Sequence, residues 1–262
     1  MNDIYPENWN ELNEILFEES WKAQLGRFRS NYAFRGLSNS SYELKTSIIR
    51  LGGEYNKLEN HLLRNFRKYA HRDALHSKSE WSWLALAQHH GLPTRLLDWT
   101  FSPFVALHFA TANIERFNID GAIWCVDYVQ LHELMPKKLK NILKKEGSNV
   151  FTVDMLNTGA KSLSILDNLD NDHFVVFLEP PSLDDRMVNQ YALFSLMSNP
   201  TGVFDLWLKD HNDLFKKVII PANLKWEIRD KLDQVNITER VLFPDLDGLS
   251  RWLKRHYGPR IV

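Results

Sequence analysis

Between two apolar runs the sequence reads Ala87-Gln-His-His-Gly-Leu-Pro-Thr-Arg-Leu-Leu-Asp-Trp-Thr-Phe-Ser-Pro103. An ordinary connection between two elements is short and built from Gly, Ser, Asn and Pro. This segment instead interleaves two histidines, an arginine, an aspartate and a tryptophan with the apolar pair Leu96-Leu97. Such a mixture is typical of the wall of a binding or catalytic site, and we expect the segment to form one.

Helical periodicity flanks the segment on both sides. Residues 79–89 predict a helix with Ser79 as its N-cap, and residues 103–113 predict a helix with Pro103 in its first turn. A short strand is expected between them at residues 95–98. The same periodicity predicts further helices at residues 8–17, 54–70, 223–232 and 246–257.

Strands are predicted where β-branched and aromatic residues cluster between turn residues. The candidates are residues 32–35, 121–126, 174–178, 192–196 and 217–220. A helical first third followed by mainly strand-like runs favours an α+β fold over regular β-α-β alternation. No Gly/Ser linker interrupts the chain, so we expect one domain over residues 1–262 with a core at about 31–248.

Composition sets outer limits on function. The 262 residues are 44% hydrophobic, enough for a full core. The net charge is −1, so nucleic-acid contact would require a local basic patch. Cys125, the single cysteine, excludes an intrachain disulfide framework. No basic-then-apolar leader and no apolar run of membrane-spanning length is seen, so we expect a cytoplasmic protein with no membrane partner.

The tripeptide Phe34-Arg-Gly36 ends a predicted strand. An interior arginine requires an anionic partner, and the guanidinium fork of Arg35 matches phosphate oxygens two bonds at a time. Gly36 would let a ligand approach the backbone closely. The alternative is a structural salt bridge to a carboxylate, for which the candidates are Glu54, Glu59 and Asp98.

These motifs together resemble the FRG domain family. They are Phe34-Arg-Gly36, then residues 88–100, then Ala106-Leu-His-Phe-Ala110. Weaker similarity extends to residues 44–50, 186–194 and 243–248, so the resemblance covers about 31–248. Residues 1–30 are then a helical N-terminal extension, and residues 128–172 are an insertion without a matching motif.

The order of the motifs is similar to that of ADP-ribosyltransferases of the arginine-serine-glutamate type. That similarity implies small split antiparallel sheets with a helical N-terminal part and helical insertions. It also implies NAD as substrate, with Arg35 on its phosphates, Thr100 and Ser102 beside the nicotinamide ribose, and Gln190 in the position of the glutamate. These four are the candidate catalytic residues. Gly36, Trp99 and Tyr191 are candidate NAD contacts, with Trp99 and Tyr191 offering faces for stacking.

Gln190 departs from the glutamate pattern because it can orient a sugar but carries no charge. Either turnover is poor, or a nearby acid such as Glu179 or Asp185 substitutes. His89 and Asp98 would position Arg35, a ligand phosphate or the acceptor, and Gln88 and Arg95 would support the loop. For Trp99 the alternative is plain core packing.

No metal is expected. His89 and His90 are adjacent on a helix, so their side chains point about 100° apart and do not easily face one ion. No HExxH, GxSxG or GxxxxGK[ST] motif occurs. A lysine cluster is the candidate nucleic-acid patch, with a solvated helix face as the alternative; its members are Lys137, Lys138, Lys140, Lys144 and Lys145.

The leading hypothesis is an ADP-ribosyltransferase-like enzyme that uses NAD to modify a macromolecular acceptor, either protein or nucleic acid. The family resemblance implies a toxin or antiviral-defence effector in bacteria, and with it an inhibitory partner protein. One alternative is a nucleic-acid-binding or nucleolytic domain that uses the histidine-rich loop and the lysine cluster. The other is a non-catalytic nucleotide-sensing module.

Overall fold

The structure is a computed structural model that describes residues 3–70 and 79–260. The first two residues of the expected N-terminal extension therefore lie outside the described residues. The described strands, in chain order, are β1 (Trp21–Lys22), β2 (Arg27–Phe28), β3 (Tyr32–Leu37), β4 (Leu97–Thr100), β5 (Gly121–Asp127), β6 (Phe151–Thr152), β7 (Val175–Glu179), β8 (Ala192–Met197) and β9 (Phe215–Ile220).

The helices of the described residues surround these strands. They are α1 (Trp9–Phe17), α2 (Ser47–Leu51), α3 (Tyr55–Tyr69), α4 (Glu80–His89), α5 (Pro103–Ala110), α6 (Tyr128–Leu131), α7 (Lys137–Glu146), α8 (Val153–Gly159), α9 (Leu163–Asp167), α10 (Asp185–Asn189), α11 (Phe204–Leu208), α12 (Lys225–Gln234), α13 (Glu239–Leu242) and α14 (Leu246–His256). The mixture confirms the predicted α+β class.

The predicted helices and strands are found with small shifts of their ends. Asn8, Ser79 and Ser102 cap α1, α4 and α5 by accepting hydrogen bonds from backbone N–H groups of the first turn. The expected strand at 95–98 begins two residues later, at Leu97. The segment 128–172, for which the sequence offers no motif, folds as α6 to α9 and β6.

Seven of the described strands form one sheet in the order β6-β7-β8-β4-β3-β5-β9, and β1 and β2 form a separate ribbon. The pairing is antiparallel except between β6 and β7, which run parallel. The sheet is thus continuous, unlike the small split sheets that the similarity to ADP-ribosyltransferases implies. It is nevertheless almost divided in the middle. β3 pairs with β5 from Tyr32 to Leu37, but with β4 only where Phe34 faces Thr100.

The divergence of β3 from β4 opens a gap in the sheet beyond Phe34. β4 has its other edge on β8, with which it pairs along its full length. One half of the sheet therefore contains β3, β5 and β9, and the other contains β4 and β6 to β8. This gap, rather than any single loop, positions the candidate site described below.

Helices cover both halves of the sheet. Phe34 packs with Leu107 of α5, Leu12 of α1 and Ile228 of α12 in one hydrophobic cluster. A second cluster joins α3, α4, α7, α8 and α9 to β7 and β8. A third contains Leu97 and Trp99 of β4. Along β4 the side chains alternate, so the core holds Leu97 and Trp99 while Asp98 and Thr100 share the opposite face.

Two buried ionic networks join elements that are distant in sequence. Arg95 donates to Glu59 of α3 at 2.8 Å and pairs with Asp167 of α9. In the second network, Arg255 of α14 donates to Glu239 at 2.7 Å and to Asp233. Within the described residues, no helix is long and apolar enough to cross a membrane.

Candidate active site

A cavity of about 790 Å³ lies at the gap between β3 and β4. Its walls come from β3, β4, the end of α4 with the turn that follows it, α10 and the start of β8. The polar lining residues that the sequence predicted for a site are Arg35, Gln88, His89, Asp98, Thr100 and Gln190. The volume is in the range of ordinary small-molecule sites, which runs from roughly 300 to 1,000 Å³.

Each member of the Phe34-Arg-Gly36 tripeptide has a separate structural task. Phe34 is buried in the hydrophobic cluster beneath α5. A Cβ placed on Gly36 would lie 1.8 Å from the main-chain oxygen of Ala106 and 2.7 Å from the Ala110 nitrogen. Gly36 also borders the cavity, but the contact that excludes a side chain is helix α5. The expectation that Gly36 serves close approach of a ligand stays a prediction, and helix packing by itself already requires a glycine here.

Arg35 spans the gap from β3 to β4. Its Nη1 donates to the main-chain oxygen of Asp98, and the same nitrogen lies 3.9 Å from the Asp98 carboxylate. The buried Nε has no hydrogen-bond partner. Burial lowers the pKa of the guanidinium, partly offset by Asp98. Of the candidate structural partners, Asp98 is thus in contact, whereas Glu59 pairs with Arg95. The Arg35 side chain is 17% exposed and lines the cavity, so it places a positive charge where an anionic ligand would need one.

Thr100 and Gln190 meet at one end of the cavity. The Thr100 hydroxyl donates to the main-chain oxygen of Gln190 at 2.8 Å and accepts from the Ser102 N–H at 3.0 Å. Nε2 of Gln190 donates to the carbonyl of Leu242 at 2.9 Å. These bonds join the end of β4 to the turn between α10 and β8. The amide oxygen of Gln190 is then the end of the side chain that remains for a ligand.

Ser102 is not brought to the cavity with the other candidate catalytic residues. Its hydroxyl caps α5 by accepting from the Val105 N–H, and the residue is not part of the lining. The sequence already carried this signal, because a serine directly before a proline at a helix start is the usual N-cap arrangement. The catalytic expectation for Ser102 finds no support in this geometry.

The two aromatic candidates do not present ring faces to the cavity as expected. Trp99 borders it, but its indole is buried among Phe177 and Phe204 and donates to Ser195 Oγ at 2.8 Å. This is the core packing that was the alternative. Tyr191 lies outside the lining, is 59% exposed, and has its ring 4.9 Å from that of Phe101. Its backbone has a φ of 48°, in the left-handed region that a bulky residue rarely adopts.

The loop residues divide between the cavity and the interior. Gln88 donates through Nε2 to both carboxylate oxygens of Asp98 at 3.0 Å. His89 Nε2 lies 2.7 Å from the carboxylate of Asp184. Arg95 points away from the cavity into its buried network with Glu59. The loop is therefore one wall of the cavity, held from behind by Arg95.

Neither acid proposed to replace the missing glutamate reaches the cavity. Glu179, at the end of β7, and Asp185, at the start of α10, are absent from the lining. Burial raises the pKa of Glu179. The lining also contains polar residues that were not among the candidate NAD contacts, including Tyr42, Ser47, His90 and Arg186. Arg186 had a usable signal, because it begins the Arg186-Met-Val-Asn-Gln190 run that ends at Gln190.

The lysine cluster lies on α7, whose Leu139 and Leu143 are buried. Lys137, Lys140 and Lys144 line a groove of about 530 Å³. Nζ of Lys140 donates to the main-chain oxygen of Glu133 at 2.9 Å. The cluster is thus the polar face of an amphipathic helix. Over residues 3–70 and 79–260, no group of three or more His, Cys, Asp or Glu residues is arranged to hold a metal ion.

The profile of the FRG domain family matches residues 30–118. The chain carries an FRG domain. The match begins just before β3 and ends after α5, so the FRG segment contains Arg35, Gln88, Asp98 and Thr100. Gln190 and Arg186 lie outside it and are added by the rest of the chain. No match was found among curated proteins or among solved structures.

The geometry explains why this FRG segment forms a unit. Phe34 and Gly36 fix β3 against α5, and Arg35 joins β3 to β4 through Asp98. The segment therefore supplies the two strands that diverge and the helices on which they rest. The second half of the sheet, from β7 and β8, closes the cavity around it.

Proposed function

We propose that the protein is an ADP-ribosyltransferase-like enzyme that uses NAD to modify a macromolecular acceptor. The observation that carries the proposal is the convergence of Arg35, Thr100 and Gln190 on one cavity between the two halves of the sheet. They come from β3, β4 and the turn between α10 and β8, and the similarity in motif order implies that all three contact one ligand. The near-division of the sheet between β3 and β4 supports the same arrangement.

The chemistry of the lining fits a dinucleotide. The guanidinium of Arg35 borders the cavity with its side chain 17% exposed, and Arg186 supplies a second cation in the wall. Guanidinium groups bind phosphate oxygens through paired hydrogen bonds. Gln190 offers a neutral amide oxygen suited to a ribose hydroxyl, and Thr100 holds the main chain of Gln190 in place. Phosphate recognition at Arg35 and sugar recognition at Gln190 would fix the nicotinamide ribose at two points, with its bond to nicotinamide on the side of the sugar away from the phosphates.

Cleavage of that bond requires stabilisation of positive charge on the ribose. When the bond breaks, the electron pair leaves with nicotinamide and the sugar carbon becomes cationic until the acceptor attacks it. Arg35 and Gln190 orient the substrate but do not supply negative charge. In this proposal the acceptor is a protein, an RNA or a DNA, and its modification is the basis of an effector role in toxin or antiviral defence.

The test is transfer of label from NAD. The purified protein is incubated with NAD labelled in its adenylate portion and with separate protein, RNA and DNA acceptors. Covalent label on one acceptor class is expected, together with release of nicotinamide. Arg35→Ala should abolish both signals. Arg35→Lys should restore only a small part of them, because an ammonium group cannot make the paired hydrogen bonds of a guanidinium. Arg27→Ala, on the separate ribbon, is the matched arginine control and should retain activity.

Other outcomes would separate the remaining functions. NAD binding that depends on Arg35 without release of nicotinamide would favour the nucleotide-sensing alternative. Cleavage of RNA or DNA that survives Arg35→Ala but is lost in His89→Ala would favour the nucleolytic one. Equal label from the wild-type protein and Arg35→Ala would contradict the proposal.

A further inference from the structure

Asp98 is the carboxylate of the cavity. Among the described residues that line the cavity, it is the one that carries an acidic side chain. Asp98 and Thr100 lie two apart on β4, so their side chains share the face opposite to Trp99. The Asp98 side chain is 62% exposed, although β4 is an interior strand of the sheet. The exposure comes from the gap that opens where β3 leaves β4.

A chain of hydrogen bonds fixes the direction of this carboxylate. The Thr94 hydroxyl donates to Oε1 of Gln88 at 2.6 Å, and the Leu96 N–H donates to the same hydroxyl oxygen at 3.0 Å. Because Oε1 of Gln88 is taken, its amide nitrogen must face Asp98, where it reaches both oxygens at 3.0 Å. A carboxylate has about four acceptor positions. The amide occupies part of them and leaves the others for a ligand.

Arg35 does not neutralise Asp98 through a close ion pair. Direct charge-assisted bonds between a guanidinium and a carboxylate are about 2.7–2.9 Å long. The distance from Arg35 Nη1 to the carboxylate is 3.9 Å, and Nη1 donates instead to the main-chain oxygen. The guanidinium of Arg35 and the carboxylate of Asp98 thus lie next to each other at the gap without a direct hydrogen bond between them. Such a pair suits a ligand that is anionic at one group and becomes cationic at a neighbouring one.

We propose that Asp98 supplies the negative charge for the NAD reaction, with Gln88 and Thr94 as its positioning residues. This inference rests on the proposed function. The bond between the nicotinamide nitrogen and the ribose carbon breaks, and its electron pair neutralises the nicotinamide ring. The carboxylate of Asp98 stabilises the cationic sugar that remains. The acceptor nucleophile then bonds to the sugar carbon and releases its proton to solvent. Gln190 keeps an orienting role.

The test compares NAD binding and nicotinamide release in the same preparations. Asp98→Asn keeps the side-chain size and an oxygen for Gln88 but removes the charge. It should bind NAD as the wild-type protein does and release nicotinamide about 100-fold more slowly, as expected when one electrostatic group of an active site is lost. Gln88→Met keeps the volume of the side chain without its hydrogen bonds. It should lower kcat with KM unchanged, and it should lower the thermal midpoint modestly because the buried Thr94 hydroxyl loses its acceptor. Asp98→Glu should recover part of the rate that Asp98→Asn loses.

Each result decides a different question. Release by Asp98→Asn at the wild-type rate overturns the inference and leaves the proposed function standing. Loss of NAD binding in a folded Asp98→Asn also overturns it, because Asp98 would then be a support for Arg35. If Asp98→Asn does not fold, Gln88→Met becomes the test. An unchanged kcat in Gln88→Met would overturn the inference, because the carboxylate would then need no positioning by Gln88. A wild-type protein that neither binds NAD nor releases nicotinamide removes the proposed function itself.

Discussion

Gly36 lies against the main chain of Ala106, so closely that a Cβ on the glycine would be 1.8 Å from the Ala106 oxygen. The neighbouring atoms are backbone of α5, which cannot move aside as a flexible side chain can. Gly36→Ala should therefore separate β3 from α5. Overpacking of this kind costs roughly 1–3 kcal/mol of unfolding free energy, or more where backbone must shift.

Chemical denaturation of Gly36→Ala would measure that cost. Gly202→Ala is a suitable control, because the nearest atom to its added Cβ is the terminal methyl carbon of Met197 at 2.7 Å. A methionine terminus can rotate away, so the control should lose much less stability. Equal stability of Gly36→Ala and the wild-type protein would contradict the packing explanation.

Replacement of Arg95 should lower the free energy of unfolding strongly, by a mechanism that does not involve the cavity. It is 4% exposed and joins Glu59 and Asp167, which come from α3 and α9. Arg95→Ala leaves a buried carboxylate without its partner, for which about 3–5 kcal/mol is expected. Lys231→Ala breaks the exposed pair with Glu227 and should cost at most about 1 kcal/mol. Urea midpoints of the two variants compare a buried ion pair with an exposed one.

The buried His132 should make the free energy of unfolding fall at acid pH. Its Nε2 accepts from the Phe177 N–H at 2.9 Å and its Nδ1 lies 2.9 Å from the Asn149 oxygen, an arrangement that requires the neutral ring. Burial lowers the pKa of His132 from 6.5 to about 4. Between those values the unfolded chain binds a proton that the folded chain does not. Stability is therefore fully present above about pH 6.5 and falls as the pH drops towards 4.

The expected loss from this one group is roughly 3 kcal/mol across that interval. Denaturation curves at pH 7, 5.5 and 4.5 would measure it. His132→Gln keeps a hydrogen-bonding side chain that does not titrate, so its stability should change less steeply over the same interval. An identical slope in the wild-type protein and His132→Gln would show that other groups cause the acid sensitivity.

Variants of the lysine cluster should distinguish a nucleic-acid acceptor from a protein acceptor. If the acceptor is RNA or DNA, the double variant Lys137→Gln with Lys144→Gln should weaken its binding and reduce the salt dependence by about one unit of slope per lysine. The double variant Lys209→Gln with Lys254→Gln removes the same charge elsewhere. Binding measured from low to high salt separates the two. Modification of a protein acceptor should be unaffected by either variant.

Elements with a local signal could be predicted from the sequence. The caps Asn8 and Ser79 and the helical spacing after them fix α1 and α4, because those hydrogen bonds and apolar faces lie within a few residues of each other. The tripeptide and the loop similarly identified the FRG domain, and Asp98 was one of three carboxylates that the sequence offered as a partner of Arg35. For each of these features, the residues that carry the signal lie close together in the sequence.

Only the tertiary structure decided which face of β4 is open and which partners its residues have. β4 pairs with β8, whose residues lie 92 to 98 positions further along the chain, and it diverges from β3 after Phe34. No local pattern encodes that divergence, because it depends on where α5 and the second half of the sheet come to rest. The divergence leaves Asp98 open to the cavity while Trp99 packs in the core. The residue types were thus present in the sequence, while their chemical tasks followed from long-range strand pairing.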